Sequence, residues 1–125
     1  MALHSTKFWD FSNQLYDKDG VAEICLKLQE ELGVDVNLFL FCYWIAHFKY
    51  APSEIEWTQI LEFSKSWKTK IVQPLRNTRK SLKKQLKNHP QNSDFAELLK
   101  KLKSDELLAE KIQQEAIQSL LKHRE

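Results

Sequence analysis

Residues 35–51 read D-V-N-L-F-L-F-C-Y-W-I-A-H-F-K-Y-A, and this stretch decides the fold. After Asp35 its apolar character is interrupted only by Asn37, His47 and Lys49. A helix that is apolar on every side is typical of a protein interior. Asp35 is a favourable N-cap, and Pro52 cannot continue a helix. We therefore expect a central buried helix over residues 35–51.

The segments on both sides of this stretch carry one apolar face each, as helices packed around a central helix do. A chain of 125 residues corresponds to one domain. Only two glycines and three prolines are present, which leaves little room for the tight turns of a β-sheet protein. We predict an all-α fold, in which residues 1–125 form a single compact domain of five or six helices.

Capping residues indicate where the first two helices lie. Ser5 or Thr6 can cap a first helix of about three turns. The second helix is expected to span Val21–Leu32, with Gly33 as a left-handed C-cap.

The fourth helix is the longest predicted element. Ser53 and Glu56 can form a capping box, so this helix should begin at Glu54. The apolar residues that follow lie on the same side of the helix before and after Pro74. Proline has no backbone N–H, so one helical hydrogen bond is lost, and its ring crowds the preceding turn. We expect either a kink near residues 70–74 in one long helix or two helices that meet there, and the unbroken apolar stripe favours the kinked helix.

Residues 88–93 form the clearest predicted loop, because asparagine, proline and serine cluster there. Two shorter helices should follow, one beginning at Asp94 and one capped by Ser104. Their leucines could complete a monomer core or form the seam of a homodimer, and the pattern leaves both states open. These residues are Leu98, Leu99, Leu102, Leu107 and Leu108.

The pattern of residues 8–44 resembles a known protein family. It combines F-W-x-F-S, a tyrosine, G-V-x-x-x-C-L-x-L-Q and G-x-D-V-N-x-x-L-F-x-x-W. The matching residues are Phe8, Trp9, Phe11, Ser12, Tyr16, Gly20, Val21, Cys25, Leu26, Leu28, Gln29, Gly33, Asp35, Val36, Asn37, Leu40, Phe41 and Trp44. The pattern is similar to that of small uncharacterised proteobacterial proteins, grouped as a domain of unknown function. The resemblance implies a helical fold and a bacterial cytosolic setting, and it transfers no catalytic residue.

Positive charge is concentrated in one part of the chain. The formal net charge is only +2, but residues 63–93 hold nine Lys or Arg and no Asp or Glu. Such a face is either a solvated helix surface or a binding surface for a nucleic-acid backbone or an acidic partner. No zinc-finger spacing or RNA-binding aromatic motif indicates base readout. The candidate basic face comprises Lys65, Lys68, Arg76, Arg79, Lys80, Lys83, Lys84 and Lys87.

A second candidate site is a pocket near the aromatic residues of the first and third helices. Asn37 lies at the mouth of an otherwise apolar helix, where an unpaired amide would cost roughly 1–3 kcal/mol. It should cap backbone near Gly33 or the start of the first helix, or bind a ligand. Aromatic residues at helical spacing usually form core. The candidate pocket residues are Trp9, Asp10, Asn37, Tyr43 and His47.

The remaining composition argues against metal, cofactor and membrane functions. Cys25 and Cys42 fall on apolar faces and are predicted to be buried thiols in a reducing compartment. No cysteine or histidine pair has zinc-finger spacing, so neither a metal nor another cofactor is predicted. The longest apolar run is far shorter than the roughly 20 residues that span a bilayer, and a cytoplasmic location is expected.

These observations favour a non-enzymatic protein-interaction module with an unidentified protein partner. The chain has no glycine-rich phosphate loop, nucleophile elbow or paired-carboxylate motif. One alternative is non-sequence-specific nucleic-acid binding through the basic helix of residues 65–87. Another is a small-molecule or enzymatic site near the aromatic cluster.

Overall fold

The computed structural model describes residues 3–122, and all regular secondary structure in this range is helical. A short 3₁₀ turn, Leu3–Ser5, precedes six α-helices, and a π-helical turn, Lys68–Val72, joins the fourth to the fifth. The α-helices are α1 Phe8–Tyr16, α2 Val21–Leu32, α3 Val36–His47, α4 Glu54–Trp67, α5 Gln73–Asn88 and α6 Ser93–Ser119. The predicted all-α fold is therefore confirmed.

The inner side of α3 forms the centre of the hydrophobic core. The buried residues of this helix are Leu40, Phe41, Trp44 and Ile45. The ring of Trp44 stacks on that of Phe8 with centroids 5.2 Å apart, and Phe41 meets Trp57 edge-on at 5.9 Å. The prediction that this helix lies at the centre of the core is therefore confirmed for the side that carries these four residues.

The outer side of α3 corrects the prediction that the helix is buried on nearly every side. Phe39, Cys42, Tyr43 and Ala46 are exposed, and no helix among residues 3–122 covers them. We call these four residues the outer face of α3. Cys42 was predicted to be a buried thiol, and it is exposed because it lies on this face, whereas Cys25 is buried.

The helix also ends earlier than predicted, at His47 rather than near residue 51. Lys49 adopts a left-handed conformation with φ of 54°. The amide of Tyr50 then donates to the carbonyl of Ile45 at 2.8 Å, and that of Lys49 donates to the carbonyl of Ala46 at 3.0 Å. Because of these bonds, α3 ends before the chain reaches Pro52, and the proline does not determine where it stops.

Local caps were predicted correctly at three of the helix ends. The Oδ1 atom of Asp35 accepts hydrogen bonds from two amides of α3, and Gly33 ends α2 with φ of 63°. Both bonds of the Ser53–Glu56 capping box are present.

The cap predicted for α1 is wrong. Lys7 occupies the N-cap position and makes no side-chain cap bond. Thr6 instead donates its hydroxyl to the carbonyl of Leu3 at 2.7 Å and accepts from the indole N–H of Trp44 at 3.2 Å. The hydroxyl is therefore occupied by the preceding turn and by the core.

The chain stays helical across Pro74, as expected. The π-helical turn Lys68–Val72 lies immediately before it, and Pro74 falls at the start of α5. A π-helical turn pairs residues five apart, so it accommodates the missing N–H and the bulk of the ring. The kink itself stays a prediction.

The two short C-terminal helices predicted around Ser104 are one helix. Asn92, rather than Asp94, caps it by accepting from the amides of Asp94 and Phe95 at 3.0 and 3.2 Å. Ser104 lies exposed inside α6, where its hydroxyl does not need to cap a backbone group. Strong helix formers on both sides of it, such as lysine, leucine and glutamate, carry the helix through.

Glu56 connects α4 to the C-terminal part of the chain. Its side chain is almost fully buried and accepts from the amides of Ser53 and Lys122 at 2.8 and 2.7 Å. The hydroxyl of Tyr50 donates to it at 2.9 Å. Burial alone would raise the pKa of Glu56, but these hydrogen bonds lower it to about 2.

Stability should therefore depend on the ionisation of Glu56. Its folded pKa of about 2 lies below the ordinary value of 4.5, so the stabilisation is complete above pH 4.5 and is lost as the pH falls toward 2. The contribution is on the order of 2–3 kcal/mol. Urea unfolding of the native chain and of Glu56→Gln from pH 7 to pH 2 measures it. The difference between them should shrink below pH 4.5, and a constant difference would contradict this assignment.

Candidate ligand-binding cleft

A cleft of about 220 Å³ opens where the end of α1, α2, the start of α3, the π-helical turn, α5 and α6 meet. Charged and amide side chains form one part of its lining, and aliphatic side chains form another. The residues that carry its chemistry are Tyr16, Cys25, Asp35, Asn37, Lys68, Arg76, Arg79, Glu106, Glu110 and Gln113.

Buried ion pairs join α5 to α6 on one side of the cleft. Arg76 is only 6% exposed, and its Nε lies 3.1 Å from Oε1 of Glu106. Its Nη2 lies 3.3 Å from Oε1 of Glu110. Arg79 places its Nε 2.5 Å from the other oxygen of Glu106. Two guanidinium groups therefore neutralise one buried carboxylate, and a second carboxylate lies beside them.

A chain of amide side chains joins the start of α3 to α6. Gln113 donates to Oδ2 of Asp35 at 3.1 Å and accepts from Nδ2 of Asn37 at 2.9 Å. The Oδ1 atom of Asn37 accepts from Gln114 at 2.9 Å, and Gln114 accepts from the Ser12 hydroxyl at 2.8 Å. Asn37 was predicted to pair with backbone near Gly33 or the first helix, and this was wrong, because α6 supplies complementary amides.

Three titratable groups at the cleft have raised pKa values. Burial raises the pKa of Tyr16, with further contributions from Cys25 and Glu110. Burial also raises the pKa of the Cys25 thiol. For Glu110, burial raises the pKa, and the nearby charge of Arg76 opposes the shift. The cleft therefore favours the neutral forms of these three side chains.

The structure divides the candidate basic face into two groups. Arg76 is buried, which corrects its assignment to an exposed face, because its charge is paired inside the protein. Arg79 pairs with Glu106, Lys80 lies 3.1 Å from a carboxylate oxygen of Glu30, and Lys68 donates to the carbonyl of Gly33 at 3.0 Å. The other four are exposed and form no ion pair within residues 3–122: Lys65, Lys83, Lys84 and Lys87.

The five candidate pocket residues lie in three different places. Asn37 lines the cleft, whereas Trp9 and Asp10 line a second cavity of about 380 Å³ formed with α6. Tyr43 and His47 lie exposed on α3, with ring centroids 6.0 and 5.4 Å from that of Phe11. The aromatic cluster between α1 and α3 is solid core, because Phe8, Phe41 and Trp44 are fully buried. The five residues therefore do not form one pocket.

Sequence reasoning missed the acidic and amide residues of α6. Glu106, Glu110 and Gln113 lie at helical spacing on the same face as the buried Leu99 and Ile117. Polar residues on the apolar face of a helix need partners inside the fold. That interruption of the apolar stripe was the available signal, and it pointed to an opposing cationic element.

The described residues hold no group of three or more His, Cys, Asp or Glu side chains that could bind a metal ion. Within residues 3–122, no helix is long and apolar enough to cross a membrane.

The fold and the cleft define a small all-α domain with internal ion pairs beside a polar cleft. A family model described as "Protein of unknown function (DUF2390)" matches residues 7–117, and the chain belongs to this family. Comparison with curated proteins and with solved structures gives no match.

Proposed function

We propose that the protein is a non-enzymatic interaction module that docks a short amphipathic helix of a partner protein on the outer face of α3. The observation that supports this is an apolar stripe that no helix among residues 3–122 covers. Phe39, Cys42, Tyr43 and Ala46 lie at positions i, i+3, i+4 and i+7 of one helix. Phe39 is 44% exposed and Tyr43 is 51% exposed. A stripe of this spacing suits the apolar face of an amphipathic helix.

The size of this stripe favours a short segment over a second copy of the chain. The exposed parts of the two aromatic side chains offer roughly 100 Å² each, and Cys42 and Ala46 add little. A stable protein complex requires about 800 Å² from each partner. The outer face of α3 is therefore suited to weak, reversible binding of a few helical turns.

The thiol of Cys25 in the cleft is not activated as a nucleophile. A cysteine acts as a nucleophile through its thiolate, which requires a lowered pKa. Burial shifts the pKa of Cys25 in the opposite direction. The thiol is thus a poor nucleophile near neutral pH.

Nucleic-acid binding through residues 65–87 has weaker support. Lys and Arg side chains bind a nucleic-acid backbone by neutralising its phosphates and displacing the counterions condensed on them, so cations that are already paired contribute less. Four members of the candidate basic face already bind internal partners, namely Lys68, Arg76, Arg79 and Lys80.

Selection of helical peptides from a displayed random library tests the proposal. The native chain should enrich peptides with apolar residues at i, i+3 or i+4, and i+7. The double variant Phe39→Ser, Tyr43→Ser should lose at least about tenfold in affinity for them, since each aromatic residue contributes roughly 1–2 kcal/mol at an interface. A matched control replaces two exposed apolar residues elsewhere, Ile24→Ser and Ile55→Ser, and should bind as the native chain does.

The reactivity of Cys42 locates the bound peptide. Alkylation of Cys42 by a maleimide should slow when the peptide is added, while the buried Cys25 stays unreactive in both cases. Peptides that bind the native chain and the Phe39→Ser, Tyr43→Ser variant equally would overturn the proposal. So would Cys42 protection that depends on protein concentration alone, because a second copy would then cover the face.

A further inference from the structure

Around the cleft, most carboxylate acceptors already accept hydrogen bonds, whereas the cationic side chains still have N–H groups available. Glu106 accepts three bonds from Arg76 and Arg79. Asp35 accepts two backbone amides on one oxygen and Gln113 on the other. The two acidic side chains therefore have little capacity for a ligand.

The cationic side chains keep donors available. Arg76 and Arg79 bind their carboxylates through Nε and Nη2 only. Lys68 uses one of its ammonium hydrogens, on the carbonyl of Gly33. All three side chains line the cleft. A ligand that complements this lining is rich in acceptors and carries negative charge.

Glu110 is the acidic side chain of the cleft with the fewest hydrogen bonds, and its surroundings reduce its repulsion of an anion. It is paired with Arg76, and Arg79, Glu106 and Tyr16 lie near it. Burial raises its pKa, so its neutral form is more accessible than that of an exposed glutamate. Its ion pair with Arg76 also balances its charge, which limits the repulsion of an anionic ligand.

The other part of the lining is aliphatic. Leu26, Val34, Val36 and Val72 contribute it, from α2, the start of α3 and the π-helical turn. The cleft volume of about 220 Å³ is below the roughly 300–1,000 Å³ of sites for drug-sized ligands. A lining that combines aliphatic side chains with charged donors suits a small molecule with an apolar body and one anionic end.

We propose that this cleft binds a small aliphatic carboxylate, whose carboxylate group contacts Lys68 and the guanidinium groups of Arg76 and Arg79. Its hydrocarbon part packs against the valine and leucine side chains of the lining. This site is separate from the outer face of α3, so the inference does not depend on the proposed docking of a helix.

Titration of the ¹⁵N-labelled protein with 3-methylbutanoate, followed by ¹H–¹⁵N NMR, tests the proposal. The shifts should saturate in the millimolar range and should include the side-chain amides of Asn37 and Gln113. Two comparison probes separate the contributions of charge and apolar contact. The uncharged 3-methylbutanamide should bind at least about tenfold more weakly, because it lacks the charge-assisted hydrogen bonds, and inorganic phosphate should bind more weakly because it has no apolar part.

Two lysines of the same π-helical turn provide a matched pair of variants. Lys68 lines the cleft, whereas Lys70 is exposed and is not among the residues that line it. Lys68→Gln should weaken binding at least about tenfold, the loss typical of one hydrogen bond to a charged group. Lys70→Gln should change it less than about twofold. The NMR spectrum of each variant reports at the same time whether it is folded.

Several outcomes would overturn the proposal. Shifts that do not saturate, or equal losses in Lys68→Gln and Lys70→Gln, would indicate general attraction to surface lysines. Equal affinity for the carboxylate and its amide would exclude a role for the cationic side chains. Phosphate binding as tight as that of 3-methylbutanoate would exclude the aliphatic wall from recognition.

Discussion

Replacing Phe41 with alanine is expected to lower the free energy of unfolding by about 3–5 kcal/mol. Phe41 is fully buried on the inner side of α3, and its ring meets those of Phe8, Trp44 and Trp57 with centroids 5.6, 6.0 and 5.9 Å away. These rings belong to three different helices, so the cavity left by truncation cannot close without moving α1 or α4. Urea unfolding followed by tryptophan fluorescence measures the loss.

A phenylalanine on the same helix provides the control. Phe39 lies two positions earlier and is 44% exposed, so Phe39→Ala should cost less than about 1 kcal/mol. Both substitutions remove the same atoms and alter helix propensity equally. If the two variants lost equal stability, the assignment of an inner and an outer side to α3 would be incorrect.

Replacing Glu106 with glutamine is expected to destabilise the protein by about 3–5 kcal/mol. Glu106 is buried between Arg76 and Arg79, and it accepts hydrogen bonds from both. Glutamine keeps the size of the side chain but removes the charge and half of the acceptor capacity. Arg79 would then lose its ion-pair partner, and Arg76 would keep only Glu110. Urea unfolding near neutral pH measures the effect.

The same substitution at an exposed pair separates burial from charge. Glu97 pairs with Lys101 at 3.5 Å on the surface of α6, with side chains 64% and 69% exposed. Glu97→Gln should change stability by less than about 1 kcal/mol, because solvent screens exposed pairs. Similar losses for Glu97→Gln and Glu106→Gln would mean that the buried ion pairs do not hold α5 to α6.

The two expected losses describe two different ways of joining the helices. The core around α3 is held by aromatic and aliphatic packing, and it joins α1, α2, α3, α4 and the end of α6. The α5 helix contributes no residue to that core cluster. Ion pairs of Arg76 and Arg79 with Glu106 join α5 to α6 instead. The cleft lies where these two regions meet, which is why it has both an aliphatic and an ionic wall.

Helix ends and helix continuity differed in how well they could be predicted. The bounds of α2, the start of α4 and the cap of α3 were correct, because each depends on residues a few positions apart. The extension of α3 to residue 51 was wrong, because the left-handed Lys49 ends the helix earlier. The break at Ser104 was wrong because a serine that suits an N-cap is also tolerated on an exposed helix face.

The candidate site was harder to predict than the fold. The sequence marked Asn37 as a polar residue that needs partners, but its partners are 76 and 77 positions away, on α6. The sequence also indicated a basic face, but half of its Lys and Arg side chains bind carboxylate or carbonyl groups of the same chain. Arg76 and Glu106 are 30 positions apart, and no local pattern specifies that two such residues meet.

The sequence by itself determined that this protein is a helical domain built around residues 35–51, because caps and apolar periodicity act between near neighbours. Only the tertiary structure decided which side of α3 is covered, which cations are neutralised and where a cleft remains. Those outcomes depend on how whole helices pack, and the free energy of burying a charge or an apolar face is set by what lies opposite it.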